Sequence, residues 1–166
     1  PGAAFANPGT AIRTALTRAA AQRAAAITAQ GQNYLPAGEL IDERSIVNGI
    51  VGLMATGGST NHALHIPAIA AAAGIVVTPQ DFAEISHVTP LLARIYPNGP
   101  ADVNHFHAAG GMSFLVKQLL AGGLLHGDAR GVAGPITDYA QEPVLSDTGL
   151  TWRPAPDASA DTDVLR

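Results

Sequence analysis

Two glycines and three small polar residues stand directly before an apolar helical run in the segment ATGGSTNHALHIPAIAAAAG, residues 55–74. They leave bare backbone, hydroxyls and an amide at the mouth of a helix: Gly57, Gly58, Ser59, Thr60 and Asn61. Unpaired N–H groups and the positive end of a helix dipole attract an anion. The same pattern also fits a glycine that ends one helix and a Ser or Thr that caps the next, without a ligand. The segment is not a phosphate-binding P-loop, because no lysine follows the glycines. Spacing alone favours the plain turn, because such turns are common.

Several histidines raise the question of a metal site. His62 and His65 are three residues apart, His105 and His107 are two apart, and His126 follows later. A zinc site needs three or four ligands with supporting carboxylates, and no acidic residue stands at ligand spacing beside either pair. We therefore expect no metal site within this chain. A histidine near a helix end that donates to a ligand or caps the backbone is the better interpretation.

Three further polar features carry weaker signals. Ser59 lacks the glycine two residues later that a hydrolase nucleophile elbow requires. Asp42 and Glu43 suit the first turn of a helix, where carboxylates interact favourably with the dipole. Asn48 falls among apolar positions, so it is either a core amide with satisfied partners or a polar group aimed at a site.

Composition narrows the class of protein. The 166 residues carry a net charge of −4, which argues against a nucleic-acid surface or an anionic membrane. Only 13% of residues are charged, against roughly 25% in typical soluble domains, so we expect other segments or subunits to cover much of the surface. The longest apolar run, residues 66–77, is too short to span a membrane, which takes about 20 residues. The absence of cysteine excludes disulfides and thiolate metal sites in this chain and fits the cytoplasm.

Hydrophobic periodicity and cap residues predict a helix-rich α/β fold with one or two short strands. Six helices are expected. The first begins at the cap Thr10 and ends at Gly31, the second runs from Asp42 to Ala55, and the third runs from Ser59 or Thr60 to Gly74 with Pro67 inside it. The fourth starts at the cap Thr78, and the last two cover 101–111 and 112–127. The segment LLARIYPNGP is the best strand candidate, and IVVT at 75–78 is a short strand or an extended link. Residues 135–166 show no clear pattern and are expected to be a linker or an edge segment.

Three long stretches resemble the family of iron–sulfur sugar-acid and dihydroxy-acid dehydratases: ELIDERSIVNGIVGLMATGGSTNHALHIPAIAAAAGI, DFAEISHVTPLLARIYPNGPADVNHFHAAGG and LLAGGLLHGDARGVAG. The resemblance covers about residues 1–153. The segments VNGIVGLMATGGSTNH and RIYPNGPADVNHFHAAGG are similar to those of the phosphogluconate branch of the family. The dihydroxy-acid branch shares GGSTN with this chain but differs around YPNGPADVNHF. Pro67 stands where relatives carry an ordinary apolar residue.

This resemblance implies an internal fragment of a larger enzyme. Residues 1–134 would be an internal part of the N-terminal α/β domain, and 135–166 a linker or edge segment toward a missing C-terminal domain. The implied reaction is dehydration of 6-phosphogluconate to 2-keto-3-deoxy-6-phosphogluconate, a step of the Entner–Doudoroff pathway. The family uses an iron–sulfur cluster, expected to be 4Fe-4S, whose iron acts as a Lewis acid on the C3 hydroxyl. Its cysteines lie upstream of the matched region, so this chain should bind no cofactor and be inactive alone.

The resemblance also implies which residues face the substrate. The first choice is the helix mouth formed by Gly57, Gly58, Ser59, Thr60 and Asn61. His65, Asn104 and His105 are second choices, for which a packing role is equally well supported, and no general base is assigned. Expected partners are a phosphorylated sugar acid, the remaining segments of the parent chain and further copies in a homo-oligomer, without nucleic acid or membrane. The alternatives are a dihydroxy-acid or other sugar-acid dehydratase and a non-catalytic helical interaction module.

Overall fold

The computed structural model describes residues 1–166 and contains six α-helices and two small antiparallel sheets. The helices are α1 Ala11–Ala26, α2 Glu43–Thr56, α3 Thr60–Ala72, α4 Pro79–Val88, α5 Val103–Ala109 and α6 Gly111–Ala121. The strands are β1 Arg130–Gly131, β2 Gly134–Pro135, β3 Gln141–Ser146 and β4 Gly149–Pro154, and short 3-10 turns cover Ala37–Glu39 and Ile136–Tyr139. Strand β1 pairs with β2 and β3 with β4. The expected helix-rich fold class is confirmed.

Helices begin where the sequence carries capping residues. At the start of α2, the Asp42 carboxylate accepts the Ser45 N–H at 2.8 Å, and the Ser45 hydroxyl accepts the Asp42 N–H at 2.9 Å. At the start of α4, the Asp81 carboxylate accepts the Thr78 N–H at 2.6 Å. Such reciprocal bonds satisfy backbone donors that a first turn otherwise leaves free. Local side-chain chemistry therefore fixes these helix starts.

Helix α1 is shorter than the sequence predicts, since it ends at Ala26 and not near Gly31. The chain turns back over the last turn of the helix. The Asn33 N–H donates to the Ala26 carbonyl at 2.9 Å, and the Leu35 N–H donates to the Ile27 carbonyl at 3.0 Å. This reversal buries Leu35. The glycine signal at position 31 marks a residue inside the reversal, not the end of the helix.

The prediction of a strand in LLARIYPNGP is wrong. Its residues form only two isolated bridges, Ala93 with Leu165 and Ile95 with Ala101. The N–H groups of Leu92 and Ala93 in this extended segment both donate to the Ala55 carbonyl, at 2.8 and 3.0 Å. These bonds join the segment to the end of α2 and not to a sheet. Residues 75–78 form a link without strand pairing.

A hairpin that the sequence pattern did not reveal lies within 135–166. Strands β3 and β4 pair along six residues each, from Gln141 opposite Pro154 to Ser146 opposite Gly149. The two-residue loop between them is Asp147–Thr148, and Gly149 has a positive φ of 110°. Glycine is the residue that adopts such an angle without strain. The domain division at 134/135 stays a prediction.

The core consists of two hydrophobic clusters that share helix α2. The smaller cluster joins α2 to α3 through Ile46, Ile50, Ile66 and Ala70. The larger cluster joins α2, the 92–95 segment, α5, α6 and the end of the chain, through Val51, Ala55, Ala93, Ala101, Phe106, Ala109, Phe114, Leu115, Leu119, Val164 and Leu165. Helix α2 therefore holds the two halves of the molecule together.

The last residues of the chain complete the larger cluster. The Arg94 N–H donates to the Val164 carbonyl at 2.8 Å, and the Arg166 N–H donates to the Leu92 carbonyl at 3.0 Å. Upstream, the Lys117 ammonium donates to the Ala155 carbonyl at 2.9 Å. The segment after β4 is thus fastened to the fold by both backbone and side-chain bonds.

Several large apolar side chains remain exposed to solvent. Leu64 is 69% exposed, Val76 is 85% exposed and Tyr96 is 82% exposed. The low charge content of the sequence predicts apolar surface of this kind. None of the helices combines the length and the apolar character that a membrane crossing demands.

Truncation of Leu165 should destabilise the protein strongly. Its side chain is fully buried, and large-to-small core substitutions cost about 2–5 kcal/mol. We expect Leu165→Ala to lower the free energy of unfolding by that amount in urea titration. Leu64→Ala on the exposed face of α3 is the matched control and should change it by less than about 0.5 kcal/mol. Equal losses in the two variants would contradict the burial of the chain end.

Candidate functional site

The α2–α3 turn carries the five residues that the sequence singles out. Gly57 ends α2 in the left-handed conformation, with φ 57° and ψ 40°. The N–H groups of Gly57 and Gly58 donate back to the carbonyls of Met54 and Leu53 at 3.3 and 3.1 Å, which closes the last turn of α2. Ser59 caps α3, and its hydroxyl accepts the His62 N–H at 3.4 Å. Both elements of the plain capping interpretation are present.

The same turn leaves a group of hydrogen-bond donors without protein acceptors. The backbone N–H groups of Ser59, Thr60 and Asn61 donate to no protein atom. The Thr60 hydroxyl and the Asn61 amide also have no protein partner, and all three residues are exposed. Donors at a helix N-terminus, aligned with the positive end of the dipole, suit an anionic group such as a carboxylate or phosphate. The geometry is compatible with both interpretations of the turn.

A residue from a distant turn contacts this site, and the sequence analysis did not select it. The Asn98 side-chain amide donates to the Gly57 carbonyl at 2.6 Å. Asn98 belongs to the Pro-Asn-Gly-Pro turn that follows the 92–95 segment. The sequence pattern gives no sign of this contact, because the two residues are 41 positions apart.

Two histidines lie on α3 beside the turn. His62 is half-buried, and burial lowers its pKa below the usual value of 6.5, with a smaller contribution from the nearby His65. Burial therefore favours the neutral form of the His62 side chain. His65 is exposed and makes no hydrogen bond within the chain. A role for His65 in substrate binding stays a prediction.

Asn104 and His105, the other second choices, lie at the mouth of α5. Their backbone N–H groups donate to the Asp102 carboxylate at 2.8 and 3.1 Å. The His105 Nδ1 lies 2.9 Å from the same carboxylate oxygen. These bonds lower the pKa of Asp102 below its usual value of 3.8, the His105 N–H being the largest cause and the Asn104 N–H the next. No hydrogen bond joins the α5 mouth to the α2–α3 turn, and their substrate role stays a prediction.

Asn48 acts as a satisfied amide within the fold. Its side-chain amide donates to the His126 carbonyl at 3.0 Å, and its side-chain oxygen accepts the His126 N–H at 2.8 Å. The pair fastens the loop after α6 to α2. The structure therefore shows the satisfied partners that the first interpretation of Asn48 requires, but the residue is half-buried and lies outside both core clusters.

A polar groove of about 630 Å³ lies away from the α2–α3 turn. Two of its three arginines are engaged with carboxylates, because Arg44 pairs with Asp42 and Asp128, and Arg130 pairs with Glu39. The third, Arg23, donates to the Val132 carbonyl at 2.8 Å. These charges balance each other, and the ion pairs are exposed. Exposed pairs of this kind contribute little to stability, because solvent screens them. We assign no ligand to this groove.

The residues of this chain do not fit an iron–sulfur cluster. The chain contains no cysteine, the residue whose thiolates hold such clusters. No three histidine, aspartate or glutamate side chains come together in an arrangement that could hold a metal ion.

Comparison with known proteins places this sequence in a family of dehydratases. Residues 1–139 match the family model of the dihydroxy-acid/6-phosphogluconate dehydratase N-terminal region. The chain is 64% identical over 167 residues to a phosphogluconate dehydratase of Rhizobium meliloti and 59% identical over 167 residues to one of Pseudomonas aeruginosa. These alignments cover 99% and 100% of this chain and 28% of each relative. A dihydroxy-acid dehydratase of Polaromonas naphthalenivorans is 43% identical over 58% of this chain and 17% of its own length.

The chain therefore belongs to the dihydroxy-acid/6-phosphogluconate dehydratase family. Within that family, its whole-chain similarity is to proteins named phosphogluconate dehydratase. It spans about 28% of their length. The resemblance stated from the sequence is confirmed.

Replacement of Gly57 by alanine should destabilise the turn for two separable reasons. A Cβ at this position would lie 2.0 Å from the Asn98 side-chain nitrogen, and the left-handed conformation itself disfavours a side chain by roughly 1–2 kcal/mol. Gly74→Ala is the matched control, because Gly74 has φ 78° and open space around it. We expect Gly57→Ala to cost about 1 kcal/mol more than Gly74→Ala in urea unfolding. Equal costs would show that the Asn98 contact exerts no constraint.

Acid titration should reveal the cap at Asp102. Because the folded-state pKa of this carboxyl is lowered, its contribution to stability is fully present above the usual value of 3.8 and is lost as the pH falls through the lowered pKa. The stability difference between the wild type and Asp102→Asn should therefore shrink between pH 5 and pH 2. A difference for Asp102→Asn that does not change with pH would contradict the assignment.

Proposed function

We propose that this chain forms the substrate-facing helix mouth of a hydro-lyase that dehydrates 6-phospho-D-gluconate to 2-dehydro-3-deoxy-6-phosphogluconate. The observation that carries the proposal is the similarity, over the whole chain, to proteins named phosphogluconate dehydratase. The exposed donors of the α2–α3 turn support it, because the substrate offers a carboxylate and a phosphate to such donors.

The reaction removes the C2 proton and the C3 hydroxyl group of the sugar acid as water. The enol that remains takes up a proton at C3 and becomes the ketone at C2. The residues of this chain would bind and orient the substrate. The N–H groups of Thr60 and Asn61, with the Thr60 hydroxyl, would donate to one of its anionic groups. Positioning of this kind lowers the barrier by holding the reacting carbons beside the groups that move the proton.

An iron–sulfur cluster remains part of the proposal for the whole enzyme, although no residue of this chain fits it. Residues outside this sequence would have to hold it. We assign no step of the reaction to the cluster and no general base to this chain. The isolated chain is therefore expected to be inactive.

A dihydroxy-acid dehydratase is the second candidate, since that branch belongs to the same family. The Polaromonas relative supports it less well, because its alignment covers only 58% of this chain. A non-catalytic interaction module has no specific observation in its favour.

The partners of the enzyme are also proposals. Exposed apolar side chains such as Leu64, Val76 and Tyr96 support contact with remaining parts of the parent protein or with a second copy in a homo-oligomer. We place the reaction in the cytoplasm, because a sugar acid that carries both a carboxylate and a phosphate does not cross a membrane unaided.

Substrate preference tests the proposed function. The full-length natural protein that contains this sequence should dehydrate 6-phosphogluconate with a kcat/KM at least about 100-fold above that for 2,3-dihydroxyisovalerate, a difference of about 2.7 kcal/mol in transition-state stabilisation. Formation of the 2-keto product is followed directly, and chain 1–166 alone is the control expected to show no turnover. Faster turnover of the branched acid would favour the second candidate. No turnover of either acid would contradict both.

A further inference from the structure

We propose that Asn98 is a positioning residue for the substrate-facing turn at 57–61. It would act through Gly57 and would not contact the reacting atoms. This inference rests on the proposed function for its link to substrate binding, while the positioning itself can be measured without activity.

The bond from Asn98 completes a turn that cannot satisfy itself. Gly57 has left the helical conformation, so its carbonyl points away from the helix ladder and needs another donor. The Asn98 amide reaches it from 41 positions along the chain at 2.6 Å. No other hydrogen bond from outside α2 and α3 reaches the backbone of residues 57–61.

The absence of a side chain at position 57 makes this approach possible. A Cβ there would lie 2.0 Å from the Asn98 Nδ2, 2.8 Å from its Cγ and 3.1 Å from the Leu91 Cδ1. Gly57 thus serves both the left-handed angle and the close approach of Asn98. The contact therefore depends on both residues, because Asn98 supplies the donor and Gly57 leaves the space for it.

The donor is itself held firmly in place. The Asn98 N–H donates to the Ile95 carbonyl at 2.8 Å, and the Tyr96 N–H donates to the Ala101 carbonyl at 2.8 Å. The segment before this turn is bonded to α2 at Ala55, two residues before Gly57. A rigid turn that carries a side-chain donor can impose its geometry on a neighbour, whereas a mobile loop cannot.

The constraint falls on the peptide that leads into the α3 cap. The Asn98 bond holds the 57–58 peptide at its carbonyl, and the bond from the Gly58 N–H to the Leu53 carbonyl holds it at its nitrogen, so the chain enters the α3 cap in a defined direction. Loss of the Asn98 bond would leave the Gly58 N–H bond as the remaining hydrogen bond on this peptide, and the looser peptide would hold the donors at 59–61 less well aligned. Because Asn98 is exposed, its loss should disturb the site more than the overall fold.

The test uses the full-length natural protein with Asn98→Asp, which keeps the size of the side chain and removes the donor. The matched control is Asn33→Asp, because Asn33 is exposed and its side chain makes no hydrogen bond. We expect Asn98→Asp to raise KM for 6-phosphogluconate about tenfold and to change kcat less than about threefold, the pattern for lost binding that is equal in ground and transition states. We also expect the amides of Gly58 and His62, both bonded within the turn, to exchange hydrogen at least about fivefold faster. Both variants should keep the wild-type melting temperature.

Each other outcome has a defined meaning. Values of KM and exchange equal to those of Asn33→Asp would overturn the proposal. A lower melting temperature with unchanged KM would also overturn it, because the bond would then be merely structural. Asn98→Ala is the second variant if Asn98→Asp does not fold, and failure of both to fold would show a structural role. If the wild type does not dehydrate 6-phosphogluconate, the proposed function fails, and faster exchange at 58 and 62 alone would support the positioning.

Discussion

The C-terminal end of α2 is the point on which the rest of the structure depends. The Ala55 carbonyl accepts two backbone N–H groups, from Leu92 and Ala93, at 2.8 and 3.0 Å. The same short segment pairs on its other side with the end of the chain, through Ala93 and Leu165. All three of the residues Ala55, Ala93 and Leu165 are fully buried. Backbones can pack this closely because two of the three side chains are a single methyl group.

This packing explains how an exposed turn keeps a defined shape. Residues 57–61 have few apolar contacts of their own, and segments with few contacts are usually the first to open. Here the turn is anchored on one side by the buried end of α2 and on the other by α3, whose Ile66 and Ala70 pack on Ile46 and Ile50. The site is therefore a small polar rim on a rigid base, an arrangement that holds donors ready for a ligand at little entropic cost.

The parts of the fold that the sequence predicts are those set by local chemistry. The cap pairs at Asp42 and Thr78 locate the starts of α2 and α4, and Gly57 locates the end of α2. The failures involve partners distant in the chain. The segment 91–100 has the composition of a strand, but the N–H groups of residues 92–94 donate to the end of α2 and to the Val164 carbonyl. The early end of α1 has the same origin, because burial of Leu35 outweighs continued helix.

The residues of the candidate site fall into the same two groups, those recognisable from local chemistry and those that depend on a distant contact. Composition and motif identify the donors at 57–61, because the hydrogen-bonding groups of glycine, serine, threonine and asparagine are known from the residue type alone. Asn98 could not be selected in this way. Its relevance comes only from a contact across 41 residues, and no periodicity records such a contact. The capping role of His105 is readable from its spacing of three from Asp102, although the sequence alone left it open.

The bridge between Ala93 and Leu165 has a consequence for how the molecule is made. A ribosome delivers the chain from its amino end, so the helices around the larger core emerge well before the residue that closes it. Until Leu165 leaves the exit tunnel, the nascent chain keeps the apolar floor beside Ala93 and Phe106 uncovered. Closure of the larger cluster during synthesis must therefore wait until Val164 and Leu165 have emerged.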